Sequence, residues 1–174
     1  IFGIGAFLVV LPIINRDVYG LESDGIRDMF VTFWLGAFVS SVALSLFRNI
    51  IRQGRLLLTA QLLGSLAILP MMTRIPHEGF LIIVFAWGLS GGVSIAMSRS
   101  IVQDAAPKDQ LARVLSIYQL GFMAGAPFGA FIMGFLVDAF GPYKIAIVPA
   151  AGMTLLIAWM IIRTPIWNLK NETV

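Results

Sequence analysis

Charged residues fall in clusters along this chain, and six almost unbroken apolar stretches run between the clusters: about 1–14, 29–47, 56–72, 80–98, 114–137 and 145–162. The longest, which continues as LGFMAGAPFGAFIMGFLVDAFG at 120–141, lacks the alternation of a half-buried strand and carries no charge until Asp138. Crossing the hydrocarbon of a bilayer takes roughly 20 mostly apolar residues in a helix. A charge at mid-bilayer costs at least about 2.5–3.5 kcal/mol, and every Asp, Glu, Lys and Arg lies outside these windows. The pattern predicts an all-α membrane protein of six transmembrane helices. The opening IFGIGAFLVVLPII reads as a span already under way, so the chain is expected to be the C-terminal part of something longer.

Composition agrees. Of 174 residues, 59% are hydrophobic and 12% charged, about half the charge of a soluble domain, and the mean hydropathy is +0.91. So few charges could not cover a water-soluble surface, so part of the solvent must be lipid. Lysine and arginine set the orientation. Arg48, Arg52, Arg55, Arg99, Lys108, Arg113, Arg163 and Lys170 share one side, eight in all, against Arg16, Arg27, Arg74 and Lys144, four in all, on the other. The positive-inside rule puts the first set, and both ends of the chain, in the cytoplasm.

Several chemistries are excluded or lack candidates. There is no cysteine, hence no disulfide and no thiolate metal site. The pI near 9.7 rests on three excess positive charges that form no single basic face, so no nucleic-acid partner is expected. His77, the lone histidine, lies in the TRIPHEG linker and is expected to face solvent. No metal, no cofactor and no catalytic residue is assigned, because no zinc set, serine elbow or phosphate loop occurs. A non-transporting scaffold, or a membrane enzyme acting on lipid-linked substrates, is the alternative function. Its only candidate acids, Asp17, Glu22, Asp24 and Asp28 on one side and Asp104 and Asp109 on the other, are spaced like a solvated surface.

The small residues carry more information. Each interior glycine in a water-soluble helix costs nearly 1 kcal/mol and a proline about 3, yet 120–141 holds Gly121, Gly125, Gly129 and Pro127. In lipid, helices gain little hydrophobic energy from meeting, and close approach through small residues holds them together. Gly88 and Gly92 repeat the device in the fourth span, and Pro127 is expected to bend the fifth. A shift of 85 residues lays Leu35-Gly36 on Leu120-Gly121 and Gly3 on Gly88. That spacing divides the spans into two sets of three, a pattern common among secondary transporters. Static packing and a rocking surface are both open readings of the glycines.

RQGR at 52–55 resembles the core of a cytoplasmic loop signature, with Arg52, Gly54 and Arg55 as its members, and LPIINRDVYGLESDGI at 11–26 resembles a periplasmic linker. IVQDAAPKDQLARVLSIYQLGFMAGAPFGAFIMGFLVDAFGP at 101–142 resembles a proline-plus-acid linker leading into a glycine-rich eleventh span. In these segments the chain resembles the C-terminal six-helix half of a major facilitator superfamily transporter, nearest the bacterial enterobactin-exporter-like branch. The resemblance implies a partner in its own N-terminal half, lipid around it, and a site in the inner membrane of a bacterium. It implies efflux of a small amphiphilic substrate of siderophore or drug type, by alternating access and on an ion gradient.

By the same resemblance the first, second, fourth and fifth spans face a central cavity. Asn15, Trp34, Trp87, Ser90, Ser94, Tyr118 and Gln119 on those spans are then substrate-cavity candidates, ordinary packing being the other reading of each. Arg52 and Arg55 either anchor the loop at lipid headgroups or, with Asp104 and Arg113, latch one access state. The apolar windows hold no Asp, Glu, His, Lys or Arg, so a proton-coupling acid is expected in the N-terminal half.

Overall fold

The computed structural model describes residues 2–46, 52–73 and 75–168; these form helices joined by short turns, with no strand among them. Arg48, Arg74, Lys170 and Glu172 lie outside the described residues. Helix α1 joins Phe2–Gly5, a π-helical turn at Ala6–Val10, and Leu11–Tyr19. Helix α2 is Ser23–Leu46, and α3 is Gln53–Ala67, continued by a 3-10 turn at Leu69–Met72. Helix α4 is His77–Ala105 and α5 is Leu111–Phe140. A short turn at Pro142–Ile145 leads into α6, Ile147–Arg163, and a 3-10 turn follows at Pro165–Asn168. Helices α2, α4 and α5, and α3 with its extension, are long and apolar enough to cross a membrane. Helix α6 is apolar but shorter.

The helices overrun the charge-free windows. Helix α4 carries Arg99 and Asp104 before ending at Ala105. It stops because Ala106 precedes Pro107 and is extended, at φ −80° and ψ 135°, the conformation a following proline imposes. Helix α5 ends where Gly141 takes φ +79° and its N–H donates to the Val137 carbonyl at 2.8 Å. The π turn in α1 also has a local cause. Pro12 has no N–H to offer the Leu8 carbonyl, and just before it the Leu11 N–H reaches back five residues to Ala6.

Small residues set the helix contacts. Helices α2 and α4 form the most extensive pairing. A side chain at Gly88 would collide with the Phe33 carbonyl, one at Gly92 with Ser40 Oγ, and one at Gly36 with the Phe85 carbonyl. The backbones touch there, as expected where packing rather than water exclusion drives association. Helix α1 meets α5 in the same way, Gly5 lying against the Gly129 carbonyl. The first helix of each triplet therefore packs on the second helix of the other, and the two sets of three interlock. The third helices, α3 and α6, also meet, through Ser65 and Thr154 hydroxyls 3.3 Å apart.

The core is off-centre. Val10, Leu11 and Ile14 of α1, Met29 of α2, Met71 after α3, Phe80 and Val84 of α4, and Met133 and Val137 of α5 form one buried cluster. These positions are the C-terminal parts of α1, α3 and α5 and the N-terminal parts of α2 and α4. All the helices converge at that end. The opposite end, where α4 finishes and α5 begins, is the basic end.

Candidate functional site

At the basic end α4 and α5 part. A cavity of about 640 Å³ opens between them, lined by Arg99, Leu115, Ser116, Tyr118, Gln119, Leu120 and Met123. It is a wide, open depression along α5, to which α4 contributes Arg99. Tyr118 and Gln119, two of the candidates above, stand side by side here, and Arg99 joins them from α4. The Tyr118 and Ser98 hydroxyls share a hydrogen bond of 2.7 Å, which ties the two helices at the base of the opening. Pro127 cannot donate to the Met123 carbonyl one turn before it. Pro127 is accommodated inside an unbroken helix.

Sequence reading placed Arg99 in a linker because the apolar window ends at the first charge. The helix continues for nearly two more turns instead, to Ala105, and the guanidinium reaches the opening. A long cationic side chain near a helix end can lay its stem on apolar surface and present its charge beyond it.

Closer to mid-depth, aromatic rings gather between α1, α2 and α4. Phe7 lies 4.2 Å from Phe33 and 6.2 Å from Trp87 between ring centroids, and Phe33 lies 5.6 Å from Trp87. Phe30 meets Phe7 edge-on at 4.8 Å. Trp87 thus joins a packed cluster beside the π turn of α1. Among the described residues Trp34 makes ring contact with Phe33, at 5.6 Å, and it is 55% exposed. Phe7 and Phe33 went unnoticed in the sequence because phenylalanine is common in any membrane helix. Their shared contact with Trp87 is a tertiary fact.

Ser90, Ser94 and Ser98 follow one another at intervals of one turn along α4, and each has a different neighbour. Ser90 donates to the Ala60 carbonyl at 2.6 Å and fills the space above Gly64. Ser94 Oγ is enclosed and makes no hydrogen bond among the described residues. Ser98 faces Tyr118. Asn15 is fully buried at the converging end, pressed on Gly25, and its amide also lacks a partner among the described residues. It lies far from the opening. Gly129 packs on Gly5, whereas Gly121 has open space where a side chain would stand.

His77 departs from expectation. It opens α4 rather than sitting in a loop, with its ring 5.2 Å from Tyr19 and stacked on Phe80 at 6.0 Å. Among the described residues, no three His, Asp or Glu side chains come together as a metal site.

The loop-signature residues split between two tasks. Gln53, between the signature arginines, is 7% exposed and donates to Ser100 Oγ and Asp104 Oδ2, each at 3.0 Å. Arg55 donates from Nε to the Trp167 carbonyl at 3.1 Å, with its guanidinium 5.3 Å from the Trp167 ring centre. Gly54 is buried in the first turn of α3, while Arg52 and Arg113 are exposed. Among the described residues no ion pair joins Asp104 to an arginine; those present are Arg16 with Asp17, and Arg27 with Asp24 and Asp28. The hydrogen bond from Arg16 holds the Asp17 carboxyl below its usual range.

No curated protein and no solved structure matches the chain significantly. A family model described as Major Facilitator Superfamily matches residues 1–172. With interlocked helix triplets, apolar membrane-length helices and an opening between α4 and α5, this integral membrane protein belongs to the Major Facilitator Superfamily of secondary transporters.

Proposed function

We propose that the chain forms the C-terminal half of an exporter that moves a small amphiphilic molecule, of siderophore or drug type, out across a bacterial inner membrane. The observation that carries this reading is the cavity between α4 and α5, which mixes polar groups with Leu115, Leu120 and Met123. An amphiphile needs both kinds of contact. The basic end is then cytoplasmic, as the lysine and arginine bias supports, and the cavity is where substrate enters. Trp87, Phe33 and Phe7 lie deeper along the same helices, offering aromatic contact toward mid-membrane. Trp34 and Gly121, on exposed faces, meet the N-terminal half.

An ion gradient supplies the energy. Helix α4 carries no ionisable residue between Glu78 and Arg99, so any proton-coupling acid belongs to the N-terminal half. The full-length protein in proteoliposomes, loaded with a labelled amphiphilic substrate, tests the reading. Efflux that stops when an uncoupler collapses the gradient is expected. Efflux indifferent to the uncoupler, or none for any amphiphile tried, overturns it. Asp28→Asn and Asp138→Asn should leave coupling intact.

A further inference from the structure

We propose that the cavity between α4 and α5 binds the acid group of an anionic amphiphile, with Arg99 as its counter-charge and Leu120 and Met123 against its apolar body. The inference rests on the reading of this cavity as the substrate entrance and adds the sign of the charge that it takes.

Arg99 brings a positive charge to the opening. It stands six residues before the end of α4, about 9 Å along the axis, which removes it from the very edge of the bundle. Among the described residues it has no salt bridge. The acid five residues further on, Asp104, accepts a hydrogen bond from Gln53 across on α3. Arg16 and Arg27 pair with neighbouring aspartates and Arg55 with Trp167; Arg52, Arg113 and Arg163 likewise have no ion pair among the described residues, and Arg99 differs from them in lining the opening. The cavity lining holds no carboxylate. It does hold the exposed Gln119 amide, whose NH2 can donate beside the guanidinium fork. Paired donors of this kind suit the two oxygens of a carboxylate or the oxygens of a phosphate.

The apolar component is equally specific. Leu120 is 70% exposed and Met123 53% exposed, one turn apart on the α5 side of the same opening. A cation with apolar surface next to it selects an acid with a hydrophobic body over a small inorganic anion. The same chemistry comes from two sources, a free amphiphilic acid or the headgroup of an anionic lipid.

The test uses the full-length transporter in phosphatidylcholine nanodiscs, without an ion gradient. A diazirine-bearing fatty acid and its methyl ester are photo-crosslinked, and labelled positions are mapped by mass spectrometry. The acid should label residues 115–123 at least about tenfold more than the ester, the factor a charge-assisted hydrogen bond carries. Arg99→Gln should bring the acid down to the ester's level, and Arg99→Lys should keep part of the difference. Equal labelling by acid and ester, or wild-type labelling of R99Q, overturns the proposal. Should R99Q fail to fold, the ester comparison and R99K still decide. Adding phosphatidylglycerol to the nanodiscs separates the sources. Loss of acid labelling assigns the cavity to an anionic lipid, and persistence assigns it to a free acid; in both cases Arg99 is the anchor. Because labelling needs no gradient, uncoupler-insensitive efflux would remove the exporter reading without touching this result.

Discussion

Gln53 joins two helices through one side chain, its amide nitrogen lying 3.0 Å from Ser100 Oγ and 3.0 Å from Asp104 Oδ2 on successive turns of α4. A neutral amide, rather than an arginine, holds Asp104 among the described residues. Gln53→Leu removes both bonds, and because Asp104 is exposed to water the cost should be about 1–2 kcal/mol, read as a lower unfolding temperature in detergent. Gln53→Glu is more informative. It sets a second carboxylate beside Asp104, which raises the pKa of the pair. The destabilisation should therefore be full at neutral and higher pH, and should fade as the pH falls and one carboxyl takes a proton.

The glycines separate by position. Gly88→Ala drives a methyl group into the Phe33 carbonyl, which is backbone and cannot swing away. A loss of about 1–3 kcal/mol is expected, measured by unfolding in mixed micelles. Gly121→Ala meets open space and should gain up to about 1 kcal/mol from helix propensity. If Gly121→Ala harms transport in the full-length protein but not the stability of this half, the open face is where the second half docks.

The tryptophans should separate stability from transport. Trp87→Ala removes contacts to Phe7 and Phe33 and should cost about 2–3 kcal/mol, somewhat less than a fully buried ring. Trp34→Ala should cost under about 1 kcal/mol, since most of its ring is exposed. Substrate efflux reduced by Trp34→Ala at unchanged thermal stability would fit an exposed ring that meets substrate or the second half.

Arg55 offers a clean distinction between anchoring and tethering. Arg55→Lys keeps the positive charge that orients the loop, but loses the fork that reaches the Trp167 carbonyl while the guanidinium faces its ring. Hydrogen exchange across Pro165–Asn168 should speed up in Arg55→Lys and in Arg55→Ala alike. Only Arg55→Ala should alter topology, as read by labelling of cysteines introduced on each side. Unchanged exchange in both variants would show that the charge alone matters.

Exclusion of charge from lipid is a local rule, legible residue by residue, and it located the helices without any knowledge of their neighbours. It misjudged their ends for the same reason. A window that closes at Arg99 cannot see that the backbone stays helical until Pro107 forces Ala106 to extend, and this hid the cation at the cavity. Small residues at intervals of four in α2 and α4 marked where backbones could touch. Nothing in the spacing said that Gly88 would meet Phe33 while Gly121 met open space, because a helix stripe does not name its partner.

By itself, then, the sequence determined that this chain lives in a membrane as apolar helices and roughly which stretches form them; a side chain's hydration cost does not depend on the fold. The tertiary structure alone decided that α1 lies on α5 and α2 on α4. It likewise joined Gln53 to Asp104 and brought Arg99, Tyr118 and Gln119 around one opening. Those pairings depend on which helix faces which, and backbone contact through glycine and hydrogen bonds between distant turns settle that only once all the helices have packed.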